Sequence, residues 1–314
     1  MVYFFALLIF ASVMILYVPL AKRLDITDRP THRGSHQHTA IRGGGIIFPI
    51  ALLYWYFICG YHNPWFVVAF VLVAAISFVD DIRSLPSMVR MIVHVGAVVM
   101  LFFTTSLPES NIPILGISII AFIAWINFVN FMDGVNGMLG MYALVALGTF
   151  YFLPEIQHFQ DFILIVLISV GVFLFFNLRK RGGVFAGDVG AISLAFILGF
   201  LMLSILKETR FIAHMLMFAV FAIDTAVTIL YRIQKRENIL LPHRQHFYQL
   251  LANQKGWSHL RVSATYAGVQ LIINIATLVF LHYGLLNIYG FAAFYLILTL
   301  LYLWIRNRIG GFSV

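Results

Sequence analysis

Several stretches of the chain hold residue types that could handle phosphate, metal or a proton. Two adjacent carboxylates, Asp80 and Asp81, close an apolar run that reads Phe78-Val79-Asp80-Asp81-Ile82-Arg83. A helix C-terminus carries partial negative charge and disfavours acids by about 0.3–1 kcal/mol, so a compensating cation or metal is expected there. Asn127, Asn130 and Asp133 recur at every third position, a spacing that predicts one helix stripe. The stripe runs into Asp133-Gly134-Val135-Asn136-Gly137, a sharp-turn sequence. A helix cap and turn account for Asp133 to Gly137 but leave Asn127 and Asn130 idle in an apolar helix. In Phe185-Ala186-Gly187-Asp188-Val189-Gly190, Asp188 stands near a helix start, where N-capping is its structural role. Its flanking glycines also suit an aspartate held close to a metal–phosphate complex.

Three further segments are polar in unusual ways. Asp224 sits inside an apolar run, and an acid at that depth costs roughly 2.5–3.5 kcal/mol, so it needs a partner. Arg232 lies eight residues on along the same helical face, which leaves a structural pair and a wall of a site both open. The segment from Lys22 to Gly45 is basic and ends in Gly43-Gly44-Gly45, which permits close backbone approach to another helix or a ligand. Its histidines, His32, His36 and His38, lack the spacing of a zinc site. In Pro242-His243-Arg244-Gln245-His246-Phe247-Tyr248, Arg and His beside aromatic rings suit phosphate and nucleotide recognition. The following residues, through Leu260, read as an amphipathic helix on a membrane surface.

The elements that must position these residues are membrane spans. Apolar residues make up 62% of the chain and charged residues 10%, and the mean hydropathy is +0.96. Soluble domains are roughly 45–50% apolar and about 25% charged, so the bilayer must serve as solvent. About eleven runs are long enough to span, at roughly 17–25 residues each, and predict about eleven transmembrane helices: 1–21, 45–61, 64–80, 87–105, 112–130, 137–153, 161–178, 189–206, 210–231, 263–282 and 286–305. Their unbroken apolarity predicts helices and excludes an alternating outer-membrane barrel. Residues 1–21 have no basic start and no small-residue cleavage site, and so read as a span and not a cleaved leader. The single cysteine, Cys59, excludes an intrachain disulfide.

Orientation follows from charge. If the runs alternate, all but two of the 20 Lys and Arg residues, Lys207 and Arg210, fall on one side. The positive-inside rule places that side in the cytoplasm, with the N-terminus outside and the C-terminus, bearing Arg306 and Arg308, inside. The net charge of +8 expresses this topology, and no separate basic surface for nucleic acid is evident. The expected fold is one all-α polytopic membrane domain over residues 1–314. Its active site would be built from cytoplasmic loops at about 22–44, 80–87, 131–137, 178–189 and 232–262.

Taken in order, Arg33 to Gly45, Asp80-Asp81, Asn127 to Gly137, Phe185 to Gly190 and Pro242 to Tyr248 resemble the polyprenyl-phosphate N-acetylhexosamine-1-phosphate transferase superfamily. The likeness spans nearly the whole chain and is strongest to the branch that begins O-antigen or other surface-polysaccharide synthesis. Arg244-Gln245-His246 stands where the peptidoglycan-precursor branch has consecutive histidines. Ala191 replaces that superfamily's usual small polar residue. The resemblance implies transfer of an N-acetyl-hexosamine 1-phosphate from a UDP-sugar to polyprenyl phosphate. The reaction would require Mg²⁺, with Mn²⁺ able to substitute, in a bacterial-type inner membrane, and a homodimer is a candidate assembly.

The resemblance also implies roles. Asp188 is the expected metal ligand, with Asn130 assisting beside the diphosphate, and Asn136 is expected to bond the uracil with Asp133 nearby. Arg244 and His246 would hold the diphosphate or sugar, and His246 also stands among the catalytic residues. Asp80 and Asp81 would sit at the lipid phosphate. Asn127, Arg42 and His36 would complete the substrate contacts. A transporter is the chief alternative, since polar groups in spans can mark a substrate path. The crowding of polar groups at one interface and the lack of a visible inverted repeat weigh against it. An intramembrane aspartyl protease using Asp188 with Asp224 would need glycine where Phe185 stands. The charge asymmetry predicts that a reporter fused after Arg308 behaves as cytoplasmic and one in the 154–160 loop as external; both on one side would contradict the alternation.

Overall fold

Helices occupy each of the eleven apolar runs. The structure, a computed structural model, describes residues 1–28, 39–105, 111–179, 183–238 and 243–310. Long helices form at Val2–Arg23 (α1), Pro64–Ile82 (α3), Ser87–Thr105 (α4), Ile112–Met132 (α5), Gln160–Asn177 (α7), Gly187–Thr209 (α8), Ala219–Gln234 (α9), His259–His282 (α11) and Ile288–Ile309 (α12). Shorter ones are Ile47–Ile58 (α2), Met138–Tyr151 (α6) and the single turn Phe247–Gln249 (α10). Among the described residues, nine helical stretches are long and apolar enough to cross a membrane, two of them counting the 3-10 turns that lead into α7 and α9. The helices α2 and α6, with 12 and 14 residues, fall short of the roughly 20 that a crossing needs.

Two departures from the sequence reading concern the loops. The chain is not purely helical: Thr27–Asp28 (β1) pairs antiparallel with Ala40–Ile41 (β2), and Ile41 forms a parallel bridge to Val184. The amphipathic helix expected through Leu260 is absent. After α10 the chain makes one wide helical turn over Leu250–Gln254 and bends, and α11 begins at His259, ahead of the predicted start. Lys255 and Gly256 interrupt it, the latter with φ +67°.

The helix α8 is the hub, buried along most of its length and packed against α2, α3, α4, α5 and α6. Around it, α7 packs on α1 and α2, and α11 packs on α6 and α9. A 3-10 segment at Ile212–Phe218 breaks the run that leads into α9. Gln270 of α11 repairs that break, accepting from the Val220 N–H at 2.9 Å and donating to the Leu216 carbonyl at 3.0 Å. Backbone groups at membrane depth need such internal partners.

The glycine run makes the close approach that its composition suggests, and its partner is backbone. A Cβ on Gly45 would collide with the Cα of Gly190, so the first turn of α8 lies directly against the segment preceding α2. Gly45→Ala should therefore lower stability by about 1–3 kcal/mol, the usual range for overpacking. Thermal unfolding in detergent reads this, and an unchanged Tm would contradict the contact.

Candidate active site at the start of α8

Residues 41–45 and 183–190 are laced together before any functional side chain is considered. The Gly44 N–H donates to the Phe185 carbonyl and the Gly45 N–H to the Ala186 carbonyl, both at 2.9 Å. The Phe185 N–H donates to the Ile41 carbonyl at 2.7 Å. This leaves the first N–H groups of α8 in need of acceptors. Asp81, at the end of α3, supplies them: its carboxylate accepts from the Asp188 N–H at 2.8 Å and the Val189 N–H at 3.0 Å. Gly187, at φ +71°, gives the carboxylate room, because a Cβ there would land on it.

Asp188 is therefore not the cap. The cap position is Ala186, with no side-chain bond, and capping comes from a residue 107 positions away. The Asp188 carboxylate instead faces two guanidiniums, Arg42 at 3.4 Å and Arg90 at 3.1 Å. Arg42 also pairs with Asp81 at 2.7 Å, and the Arg90 Nη1 that reaches Asp188 bonds Asp80 at 2.9 Å. Asp80 accepts the Leu85 N–H at 2.6 Å as well. The compensation expected for the paired acids is thus supplied by Arg42 and Arg90. Arg90 was not identified from sequence, because it falls inside the apolar run that forms α4.

A cavity of about 370 Å³ opens at this junction. Of the residues expected at the site, Arg42, Asn130, Asp133, Asn136 and Asp188 line it. Asp28, Asn177, Gln249 and His259 line it too and were not expected. Asn177 joins two of the loops, accepting from the Gly137 N–H at 2.6 Å and donating to the Val184 carbonyl at 2.9 Å. His259 meets the Asn136 N–H at 3.4 Å. Burial, and then the charges of Asp188 and Asp81, push the Asp133 carboxyl well above the usual carboxylate range.

Those carboxylates bear on metal binding. Among the described residues, no three His, Cys, Asp or Glu side chains form a cluster that could hold an ion unaided. Mg²⁺ ordinarily takes one or two carboxylates and completes its shell with water and substrate phosphates. Asp188, Asp133 and the Asn130 amide offer hard oxygen to the same cavity, so the residues present fit a phosphate-shared Mg²⁺.

The other expected residues that the structure describes do not line the cavity. The Asp81 side chain is fully buried under the start of α8. Asn127 is exposed, and its amide donates back to the Ile123 carbonyl at 2.8 Å. At about 100° per residue, six residues turn a helix face by roughly 120°, so Asn127 cannot share the face of Asp133. Arg244 is exposed, His246 is buried, and His36 lies outside the described residues. Residues 243–250 nevertheless dock on the cavity's edge: the Tyr248 hydroxyl donates to the Phe131 carbonyl at 2.9 Å and lies against Gly134. Burial, and then the charges of His246 and Arg232, hold His243 down at about 4, so it is neutral at physiological pH.

Asp224 does find partners, but they are not Arg232. Its carboxylate is bonded by residues of α10, α11 and α12, whereas Arg232 pairs with Glu237 at 3.0 Å and donates to the Asn238 carbonyl at 2.6 Å.

Residues 64–206 match the family described as glycosyl transferase family 4. The matched stretch is less than half of the 314-residue chain, yet it contains Asp80-Asp81, Asn127 to Gly137 and Phe185 to Gly190. A comparison with curated proteins finds no match. The family match supports a membrane transferase of the phospho-sugar class. A cation entering the cavity should favour the ionised form of Asp133 and so expel its proton. Calorimetry of Mg²⁺ addition near pH 7, in buffers of different ionisation heat, should show proton release that Asp133→Asn reduces. Equal release from the variant would move the proton to another group.

Proposed function

We propose that the protein transfers an N-acetyl-hexosamine 1-phosphate from a UDP-sugar to polyprenyl phosphate, releasing UMP. The site would face the cytoplasm of a bacterial-type inner membrane, and the product would open surface-polysaccharide or O-antigen synthesis. One observation carries the reading. Arg42, Asn130, Asp133, Asn136 and Asp188, from three loops far apart in sequence, meet on one polar cavity at the end of an apolar helix bundle. Such a place suits a reaction whose acceptor lies in the bilayer and whose donor lies in water. The family match over residues 64–206 supports the same class of chemistry.

The reaction forms a bond from a lipid-phosphate oxygen to the β-phosphorus of the UDP-sugar and breaks the bond from that phosphorus to the oxygen bridging to the α-phosphate. Several negative charges must come together, so catalysis is mainly positioning and charge neutralisation. Arg42 and Arg90, already set against Asp80, Asp81 and Asp188, are the cations at hand. Asn136 and Asp133 sit on the turn that would read the uracil. Asp188, with Asn130, would hold Mg²⁺, which when bound supplies Lewis-acid neutralisation of the diphosphate. Asp81 serves by fixing Asp188 and Arg42 and has no need to touch substrate. A phosphate monoester with its second pKa near about 6 is largely dianionic at neutral pH, so the acceptor needs little help from a base.

Asp188→Asn tests the reading. The structure gives Asp188 no capping role, so insertion and folding should persist while UMP release, measured across a Mg²⁺ series with polyprenyl phosphate present, falls by about 10²-fold or more. Near-parental turnover at ordinary Mg²⁺ would remove Asp188 from the reaction.

A further inference from the structure

We propose that Asp224 is a positioning residue for the transfer reaction, acting through His246. The inference rests on the reading that His246 touches the donor's diphosphate or sugar. Asp224 is fully buried in α9 and accepts from the Phe247 N–H at 3.1 Å, the Tyr266 hydroxyl at 2.5 Å, the Tyr302 hydroxyl at 3.1 Å and the Thr228 hydroxyl at 3.3 Å. Its fifth neighbour is Nδ1 of His246, at 3.3 Å. A carboxylate receiving four other donors is an acceptor only, so the contact is attractive only when Nδ1 carries a proton. The His246 ring is also placed to accept from the Gln249 N–H in a capping box; a proton on Nδ1 gives up that contact, and the N–H keeps the His246 carbonyl at 3.0 Å.

Fixing the proton on Nδ1 has a consequence at the other nitrogen. Nε2 of His246 is buried and has no hydrogen-bond partner among the described residues. A buried polar atom without a partner is unfavourable, which makes it a site waiting for one. The surroundings hold the ring in that pose. Tyr248 stacks on it at 5.7 Å between centroids, and Phe131, two residues before Asp133, lies 6.3 Å away. The backbone is clamped from the far end of the chain: Arg306 of α12, itself 2% exposed, donates to the Gln245 carbonyl, to Tyr302 at 2.7 Å and to Thr228 at 3.2 Å. Two hydroxyls that bond Asp224 thus also bond Arg306, and α9 and α12 together set one imidazole.

The test is a double-mutant cycle on the full-length protein in detergent with polyprenyl phosphate and UDP-sugar. Asp224→Asn is expected to lower kcat by about 10²-fold while KM for the UDP-sugar moves by less than about threefold. His246→Ala should be comparably slow, and the double variant no slower than His246→Ala alone. Effects that multiply would overturn the role of Asp224 and leave His246 in place. Parental turnover by His246→Ala would overturn the reading that His246 meets substrate, and the inference with it. A second readout needs no transfer: ¹⁵N spectra of histidine-labelled protein, with His246 assigned by loss in His246→Ala, should show its proton on Nδ1. A bare Nδ1 overturns the proposal. Tyr266→Phe, which keeps the carboxylate and serves if Asp224→Asn does not fold, should shift the same resonance and lower kcat; an unmoved resonance with parental kcat would overturn the role of Asp224.

Discussion

The Asp81 carboxylate lies fully buried where α3 ends and α8 begins, satisfying two backbone N–H groups while paired with Arg42. In a bundle surrounded by lipid those N–H groups have few other acceptors, and the N-terminal end of α8 favours a negative charge. Removing one partner of such a buried pair typically costs about 3–5 kcal/mol, because the other charge is left uncompensated. The arrangement makes the rest of the site possible. With its own helix capped from elsewhere, Asp188 is free to face the cavity, and Gly187 exists to let Asp81 in.

Charge balance then explains why the cavity suits diphosphate chemistry. Asp80, Asp81 and Asp188 share two guanidiniums, Arg42 and Arg90, and Asp133 adds a carboxyl that burial and those neighbours hold toward its neutral form. Among the described residues these acids outnumber the cations paired with them, which favours a further cation. The guanidiniums, poised by the same acids, are also able to meet phosphate in bidentate fashion. A site of this kind works through fixed charges more than through a single proton carrier.

Much of this was legible in the sequence because apolar runs, paired acids and glycines act locally. The eleven runs became helices, and Gly43-Gly44-Gly45 marked a close approach. The acid pair demanded compensation, which came from Arg42 and Arg90. What was not legible depends on distance along the chain. Nothing near Asp188 indicates that its helix is capped by Asp81, and Arg90 is hidden in an apolar run. Asp28, Asn177, Gln249 and His259 carry no motif and reach the cavity only through tertiary packing. The stripe through Asn127, Asn130 and Asp133 does not hold together, since three-residue spacing drifts around a 3.6-residue helix and leaves Asn127 away from the cavity that the other two line. For Asp224, Arg232 on the same helical face is the nearest cation in sequence, whereas its partners sit on α10, α11 and α12.

A map of the protein with Mg²⁺ and a non-transferable UDP-sugar analogue tests the central claim most directly, because it reads place and contacts at once. The account predicts density for the nucleotide diphosphate in the polar cavity, with Asp188 beside the phosphates and the turn Asp133–Asn136 beside the base. Nucleotide bound outside that cavity, with Asp188 still paired only to Arg42 and Arg90, would contradict it.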